Sequence, residues 1–190
     1  MNGGAAPEPS DEALARRVQQ GERAALELLI ARYLRPLHAV AASYLRDEAD
    51  IDDAVQEALM RALKSIGRYD ATRAFAPWLY QIARNSARDR VATRTRHGGE
   101  ELSDALRDPG AQPDELVERT QLRRMMARAI DALPEQRRTA FRMHDVDGYT
   151  TAQIAHMMGL SEGTVRSHVH HARRALRLTL SAQLPAGEES

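Results

Sequence analysis

Residues 150–174 are TTAQIAHMMGLSEGTVRSHVHHARR, and their spacing predicts a helix, a tight turn and a second helix. Thr150 can cap the first helix while Gln153, three residues on, reaches back to complete a capping box. Ile154, Ala155 and Met158 then form one apolar face. Gly159 suits a helix end in the left-handed conformation, and Ser161 can cap the helix that follows. In that second helix Val165, Val169, Ala172 and Leu176 recur at helical intervals and share one inward stripe. The opposite face carries Gly163, Arg166, Ser167, His170, His171 and Arg174. An apolar back with a small, polar and cationic front is what a reader of the DNA major groove needs.

Composition bounds what surrounds this motif. The 190 residues suffice for one medium domain or two small ones. The chain has 27 Lys and Arg against 27 Asp and Glu, a formal net charge of zero that conceals a strong pattern. Residues 1–30 carry a net −2, 31–97 a net +4, 98–120 a net −5, 121–184 a net +5 and the last six −2. Nucleic-acid affinity follows the local field, which decays over roughly 10 Å at moderate salt, so two basic blocks matter more than the overall balance. The absence of cysteine excludes disulfides and thiolate zinc sites. No apolar run approaches the roughly 20 residues of a membrane span, so no membrane insertion is expected. The opening MNGGAAPEPSDE lacks the basic start and apolar core of a signal peptide. Its Gly, Pro and acidic content predicts a disordered lead-in over residues 1–10. A soluble cytoplasmic protein is the plain expectation.

Helical periodicity dominates the rest, and no strand pattern stands out. A short helix is expected over Asp11–Gln20, with Leu14 and Val18 inward and Gly21 closing it. A longer one places Ala25, Leu28, Leu29, Leu37, Val40 and Tyr44 at helical spacings, with Pro36 able to kink or divide it. Ile51, Val55, Leu59, Ala62 and Ile66 line one face of the next. After a break over 67–76, a helix starting near Pro77 runs through Trp78, Leu79, Ile82 and Ala83. Three glycines, two prolines and a run of acids mark residues 98–114 as a flexible acidic linker. Helices from about Glu115 to Leu133 and from Pro134 then precede the helix-turn-helix. The expected architecture is all-α: one domain over 11–97, the linker, a helix-turn-helix domain over 115–184 and a tail over 185–190.

The N-terminal domain carries a second set of polar faces. Opposite the apolar stripe of the Ile51–Ile66 helix lie Asp53, Gln56, Glu57, Met60 and Lys64, which a merely solvated face would also explain. In the following helix Arg84, Arg88, Arg90, Arg94 and Arg96 stand against one acid, Asp89, a balance that favours phosphate contact. Phe75, Trp78 and Tyr80 sit beside this basic run, and aromatics next to cations can stack unpaired bases. Phe75 and Trp78 also suit a core, and for Trp78 the residues by themselves favour that reading.

The segment DAVQEALMRALKSIGRYDATRAFAPWLYQIARNSARD, residues 53–89, resembles the first domain of bacterial sigma factors of the extracytoplasmic-function (ECF) group within the sigma-70 family. The segments LPEQRRTAF and GYTTAQIAHMMGLSEGTVRSHVHHARRAL resemble the group's second domain. Both occur in the family's order, and the resemblance spans about Gly21 to Leu184. It implies a promoter-specificity subunit that directs core RNA polymerase to promoters and helps open them, without cofactor or catalytic residue. It implies that Asp53, Gln56, Glu57 and Met60 dock on the polymerase. It places Arg73, Trp78, Arg84, Asn85 and Arg88 at the melted −10 element, with Asn85 near a flipped-out base that an amide can hydrogen-bond. Thr164, Arg166, Ser167, His170, His171 and Arg174 would lie in the −35 major groove. The implied partners are core RNA polymerase, promoter DNA and an anti-sigma factor, with the free protein a monomer. The linker resembles the segment that threads towards the polymerase active centre.

The chain departs from the family pattern at His168-Val169-His170-His171, where many members have an arginine. Imidazoles near neutral pH are mostly uncharged, so phosphate attraction should be weaker and more pH-dependent. His168 and His171 are three apart on a helix, but no carboxylate or cysteine lies near them in sequence, and no metal site is expected. Two other readings compete. A stand-alone helix-turn-helix regulator would leave the Asp53–Asp89 constellation unexplained. A sigma-like mimic that sequesters an anti-sigma factor would have no use for Asn85 or the DNA-facing cations. No Ser/His/Asp spacing or phosphate loop suggests an enzyme.

Overall fold

The computed structural model describes residues 8–96 and 113–183, apart from the side chains of 113–119 and 183. The described residues form eight α-helices and no strand: α1 (Asp11–Gln19), α2 (Arg23–Ala42), α3 (Glu48–Ser65), α4 (Phe75–Arg96), α5 (Pro113–Asp131), α6 (Glu135–Phe141), α7 (Thr151–Met158) and α8 (Glu162–Gln183). They are grouped in two compact units.

In the first unit, Ser10 starts α1 by accepting the Ala13 N–H at 3.2 Å. Asp11 and Glu12 sit in its first turn and Arg16 and Arg17 in its last, matching the helix dipole. Gly21, at φ +87°, takes the left-handed conformation just past its end. The lead-in is therefore not disordered up to α1. Besides the Ser10 cap, the Pro9 carbonyl accepts from Arg32 at 3.2 Å. Residues 1–7 of the expected lead-in, 98–112 of the linker and the 185–190 tail lie outside the described residues.

Helix α2 runs unbroken through Pro36, which does not divide it. Its core side is Leu29, Tyr33, Leu37 and Val40, whereas Leu28, expected inward, is exposed and Tyr44 lies past the helix end. Helices α2, α3 and α4 pack on one another. The expected stripe on α3 holds, except that Leu59 is only half-buried. Small residues do much of the packing: Ala54, Ala58 and Ala62 on α3, and Ala76, Ala83 and Ala87 on α4, are all buried. Small side chains allow two helix axes to approach closely, and charged residues on the helix rims then come within reach of each other.

In the second unit, Ala129 and Leu133 pack with Ala172 and Leu176 of α8, and Ile130, Phe141 and Ala175 close over them. Helix α6 continues into a π turn over Arg142–Val146, where the Asp147 N–H bonds the Arg142 carbonyl at 3.0 Å. The capping box at the start of α7 is formed on both sides. The Gln153 N–H donates to Thr150 Oγ1 at 3.2 Å, and the Thr150 N–H to Gln153 Oε1 at 2.9 Å. Gly159 is left-handed at φ +69°. Ser161 accepts the Thr164 N–H at 3.1 Å. Val165, Val169, Ala172 and Leu176 are all buried, so the α8 stripe lies where its spacing predicts. Helix α5 begins at Pro113, two residues ahead of the expected Glu115.

Candidate nucleic-acid interface

The start of α4 and the loop before it are held by α1, a relationship that local sequence does not announce. The Glu12 carboxylate accepts the Phe75 N–H at 3.0 Å and so caps α4. Helix α4 consequently starts at Phe75, two residues before Pro77. That amide bond, opposed by partial burial, holds the Glu12 carboxyl below the usual carboxylate range. Gln19 donates to the carbonyls of Ile66 and Tyr69, each at 2.8 Å, and Arg16 to that of Ala71 at 3.2 Å. Within the loop, Asp70 Oδ1 accepts from the Thr72 N–H at 3.0 Å and its hydroxyl at 2.7 Å, while the Tyr69 hydroxyl donates to the Arg73 carbonyl. Arg73 itself is exposed, 3.6 Å from Asp70.

On α4 the expected residues divide by environment. Trp78 is half-buried in an aromatic cluster, its ring centroid 4.9 Å from Tyr69 and 5.3 Å from Phe75, and Phe75 also meets Tyr33 at 5.5 Å. Phe75 and Tyr80 are core. Arg84 is half-buried and donates to Gln81 Oε1 at 2.9 Å. Asn85 and Arg88 are exposed, one turn along the same face.

Two further arginines of α4 have a different employment. Arg90 bonds Asp50 Oδ1 at 2.8 Å and Asp53 Oδ2 at 2.6 Å, and Arg94 bonds Asp50 Oδ2 at 2.7 Å. Arg61 of α3 bridges Glu57 and Asp89, each at 2.7 Å. The basic run is thus not a uniform phosphate-facing stripe, because two of its cations are directed at α3 acids. On α3, Asp53, Gln56, Glu57 and Met60 are all exposed and form one strip, with both of its carboxylates ion-paired. Beside Met60 opens an apolar pocket of about 140 Å³ lined by Leu26, Ile30, Leu59, Met60, Leu63 and Ile66 among others. Exposed Leu63 and the exposed side of Met60 carry its rim, a feature that the helical pattern of α3 alone did not single out.

On α8, Arg166, Ser167, His170, His171 and Arg174 are exposed on one side. Thr164 is half-buried and engaged in the cap, its hydroxyl 2.8 Å from that of Ser161. Arg166 lies 3.3 Å from Glu162, and the rings of His170 and His171 meet edge to face at 5.6 Å. His168 stands apart from these. It is half-buried, and burial, then Arg137 and His171, push its pKa below the ordinary value. Arg173, two turns along α8 from Arg166, donates to Asp145 at 2.8 Å. That bond, with His144 beside it, holds the Asp145 carboxyl below the usual range and fastens the π turn to α8.

Comparison with known proteins finds the same two-part order. The family model described as Sigma-70 region 2 matches residues 29–97, and that described as Sigma-70, region 4 matches residues 123–176. The ECF RNA polymerase sigma-E factor of Escherichia coli (strain K12) is 31% identical over 177 residues, covering 88% of this chain and 92% of the relative. Among solved structures, CnrH in complex with the cytosolic domain of CnrY is 26% identical, with a TM-score of 0.59 over 93% of this chain and 100% of that one. The sigma factor RpoE in complex with the anti-sigma factor NepR from Bartonella quintana matches 83% of this chain and 98% of its own, with a TM-score of 0.53. At 22% identity that likeness speaks for the fold alone. Sigma factors direct core RNA polymerase to promoters and take part in transcription initiation. Alike in sequence over nearly its whole length and carrying both regions in order, the chain belongs to the ECF RNA polymerase sigma factors.

Proposed function

We propose that the two units divide promoter recognition between them. The strip Asp53, Gln56, Glu57 and Met60 on α3 docks on core RNA polymerase. Arg73, Trp78, Arg84, Asn85 and Arg88 hold the melted −10 strand, and Thr164, Arg166, Ser167, His170, His171 and Arg174 of α8 enter the −35 major groove. On this reading residues 11–97 serve polymerase and −10 binding, 98–114 link, and 115–184 serve −35 binding. The observation that carries it is the exposed pair Asn85 and Arg88 beside half-buried Trp78, while Arg90 and Arg94 are spent on α3. An amide, a cation and an aromatic edge on one helix match the needs of an unstacked base and its phosphate better than those of a duplex. Opening without ATP is feasible because captured bases offset the few kcal/mol lost in unstacking.

The work takes place in the cytoplasm, with core polymerase and promoter DNA as partners and no catalytic residue or cofactor in the chain. An anti-sigma factor is the further partner of this reading. Transcription in vitro with core enzyme, from a promoter mapped after overexpression, tests the proposal. Promoter-specific transcripts and permanganate-reactive −10 thymines are expected, both lost in Asn85→Ala with core binding retained. Tight binding to a palindromic duplex without polymerase would instead identify a stand-alone regulator. Sequestration of an anti-sigma factor with no transcription would identify a mimic.

A further inference from the structure

The α2–α3 corner brings together three side chains that the promoter reading does not use. His38 lies on α2, Glu48 is the first residue of α3, and Asp52 is one turn further on. His38 Nε2 is 3.0 Å from Glu48 Oε1 and 4.0 Å from Asp52 Oδ1. One ligand atom from each residue lies within 4.8 Å of the other two.

Residues 47–53 hold five acids, and the structure gives them separate tasks. Asp47 caps α3 by accepting the Asp50 N–H at 3.2 Å, and Asp50 and Asp53 accept from Arg90. Glu48 and Asp52 instead converge on a single imidazole. An ordinary ion pair needs one carboxylate, and two at i, i+4 repel each other. A divalent cation would relieve that repulsion and use all three groups at once.

The distances suit such an ion. Metal–ligand bonds of about 2.0–2.2 Å in a tetrahedral site separate neighbouring ligand atoms by about 3.3 Å. The observed 3.0 Å and 4.0 Å bracket that figure, so rotation of exposed side chains can seat the ion without moving either helix. The side chains are 39%, 75% and 70% exposed, which leaves the remaining coordination positions to water. One imidazole with two carboxylates is a borderline donor set, matched to zinc and its first-row neighbours rather than to calcium.

We propose that His38, Glu48 and Asp52 bind a divalent transition-metal ion of the zinc class. The ion would clamp α2 to α3 across the connection over 43–47, one residue from Asp53 on the strip assigned to polymerase. A bound metal stabilises the native state by mass action, so occupancy is readable as thermal stability.

The test uses the full chain, stripped with chelator and titrated with zinc chloride by calorimetry at neutral pH. One saturable equivalent is expected, together with a zinc-dependent rise in melting temperature and tetrahedral visible bands when cobalt(II) replaces zinc. Losing an outer-shell partner alone typically weakens a site by roughly tenfold, so His38→Gln and Asp52→Asn should each weaken this one by at least that much and abolish the melting shift. Asp52 is exposed and His38 half-buried, and circular dichroism of each variant confirms that the fold is intact. A His170→Gln, His171→Gln variant, which removes an exposed pair of imidazoles outside the site, should bind as the native chain does. No saturable binding, or binding unchanged in His38→Gln, would overturn the proposal and leave an ion pair only.

Discussion

The Glu12 carboxylate accepts the Phe75 N–H at 3.0 Å, so the helix assigned to the −10 strand is capped by a residue of α1 that lies 63 positions away. With Gln19 and Arg16 on the adjoining loop, α1 becomes the template on which the proposed single-strand site is set. Removing a capping acceptor typically costs about 1 kcal/mol. Glu12→Ala should therefore lower the stability of the first unit by about that amount and speed hydrogen exchange at the Phe75 and Ala76 amides. The pH dependence has a definite sign. Because the folded pKa of Glu12 is depressed, its contribution is complete above the ordinary value of 4.5 and is lost as pH falls through the lowered folded value. Acid titration of the two proteins should bring their stabilities together; a difference that persists at low pH would show that the cap is not the cause.

Arg90 touches two carboxylates in different surroundings, and this ranks their energies. The Asp50 side chain is 16% exposed and that of Asp53 is 52% exposed. Exposed pairs contribute about 0–1 kcal/mol, and partial burial of one partner reduces solvent screening. A double-mutant cycle of Arg90→Gln with Asp50→Asn should give a larger coupling, about 1 kcal/mol, than the same cycle with Asp53→Asn. Urea unfolding measures both, and a larger coupling to Asp53 would contradict the ranking.

The pairing of Asp53 and Glu57 with arginines bears on polymerase docking. Asp53→Ala combined with Glu57→Ala should weaken core binding by about tenfold, equivalent to ~1.4 kcal/mol, with helicity unchanged by circular dichroism. Fluorescence anisotropy of labelled protein against core enzyme provides the measurement. Undiminished affinity would remove α3 from the interface.

Asn85 and Arg166 are assigned to different DNA states, and their replacements should separate. Arg166→Ala should cost roughly 1–3 kcal/mol at the −35 duplex if it contacts a base. Asn85→Ala should leave that duplex binding intact and reduce capture of a single-stranded −10 oligonucleotide. Equal losses on both probes would point to unfolding rather than to two separate contacts.

His168 introduces a pH dependence into the helix-turn-helix unit. Burial disfavours its charged form, and Arg137 and His171, which face it, add to the effect. The charged form is therefore costly in the folded state. The penalty is absent above the ordinary value of 6.5, grows as pH falls below it, and is complete below the lowered folded value. Melting of the second unit should drop between about pH 7.5 and about pH 5, and His168→Gln should flatten that drop. Identical profiles in the two proteins would exclude His168 as its source.

Much of the helical pattern was legible without coordinates. The capping box at Thr150, the left-handed Gly159, the Ser161 cap and the stripe from Val165 to Leu176 all depend on neighbours within one or two turns, and local spacing carries that information. Leu28 misled for the converse reason. It has an apolar side chain at a helical interval, but only the positions of α1, α3 and α4 determine which side of α2 faces inward, and Leu28 falls outside it.

The sequence alone therefore determined the helices, their order and the polar or cationic faces, because periodicity and capping are local. Tertiary structure alone decided how those faces are used. Buried alanines on α3 and α4 let the two helices pack closely, and their rim charges then meet as Arg90 with Asp50 and Asp53. The same closure converts part of the basic run from phosphate binder to internal partner and leaves Asn85 and Arg88 outward. The packing of α2 on α3 likewise gathers His38 with Glu48 and Asp52 across a turn. Such meetings depend on where helices cross, which is set by the summed packing of the unit rather than by any one stretch of chain.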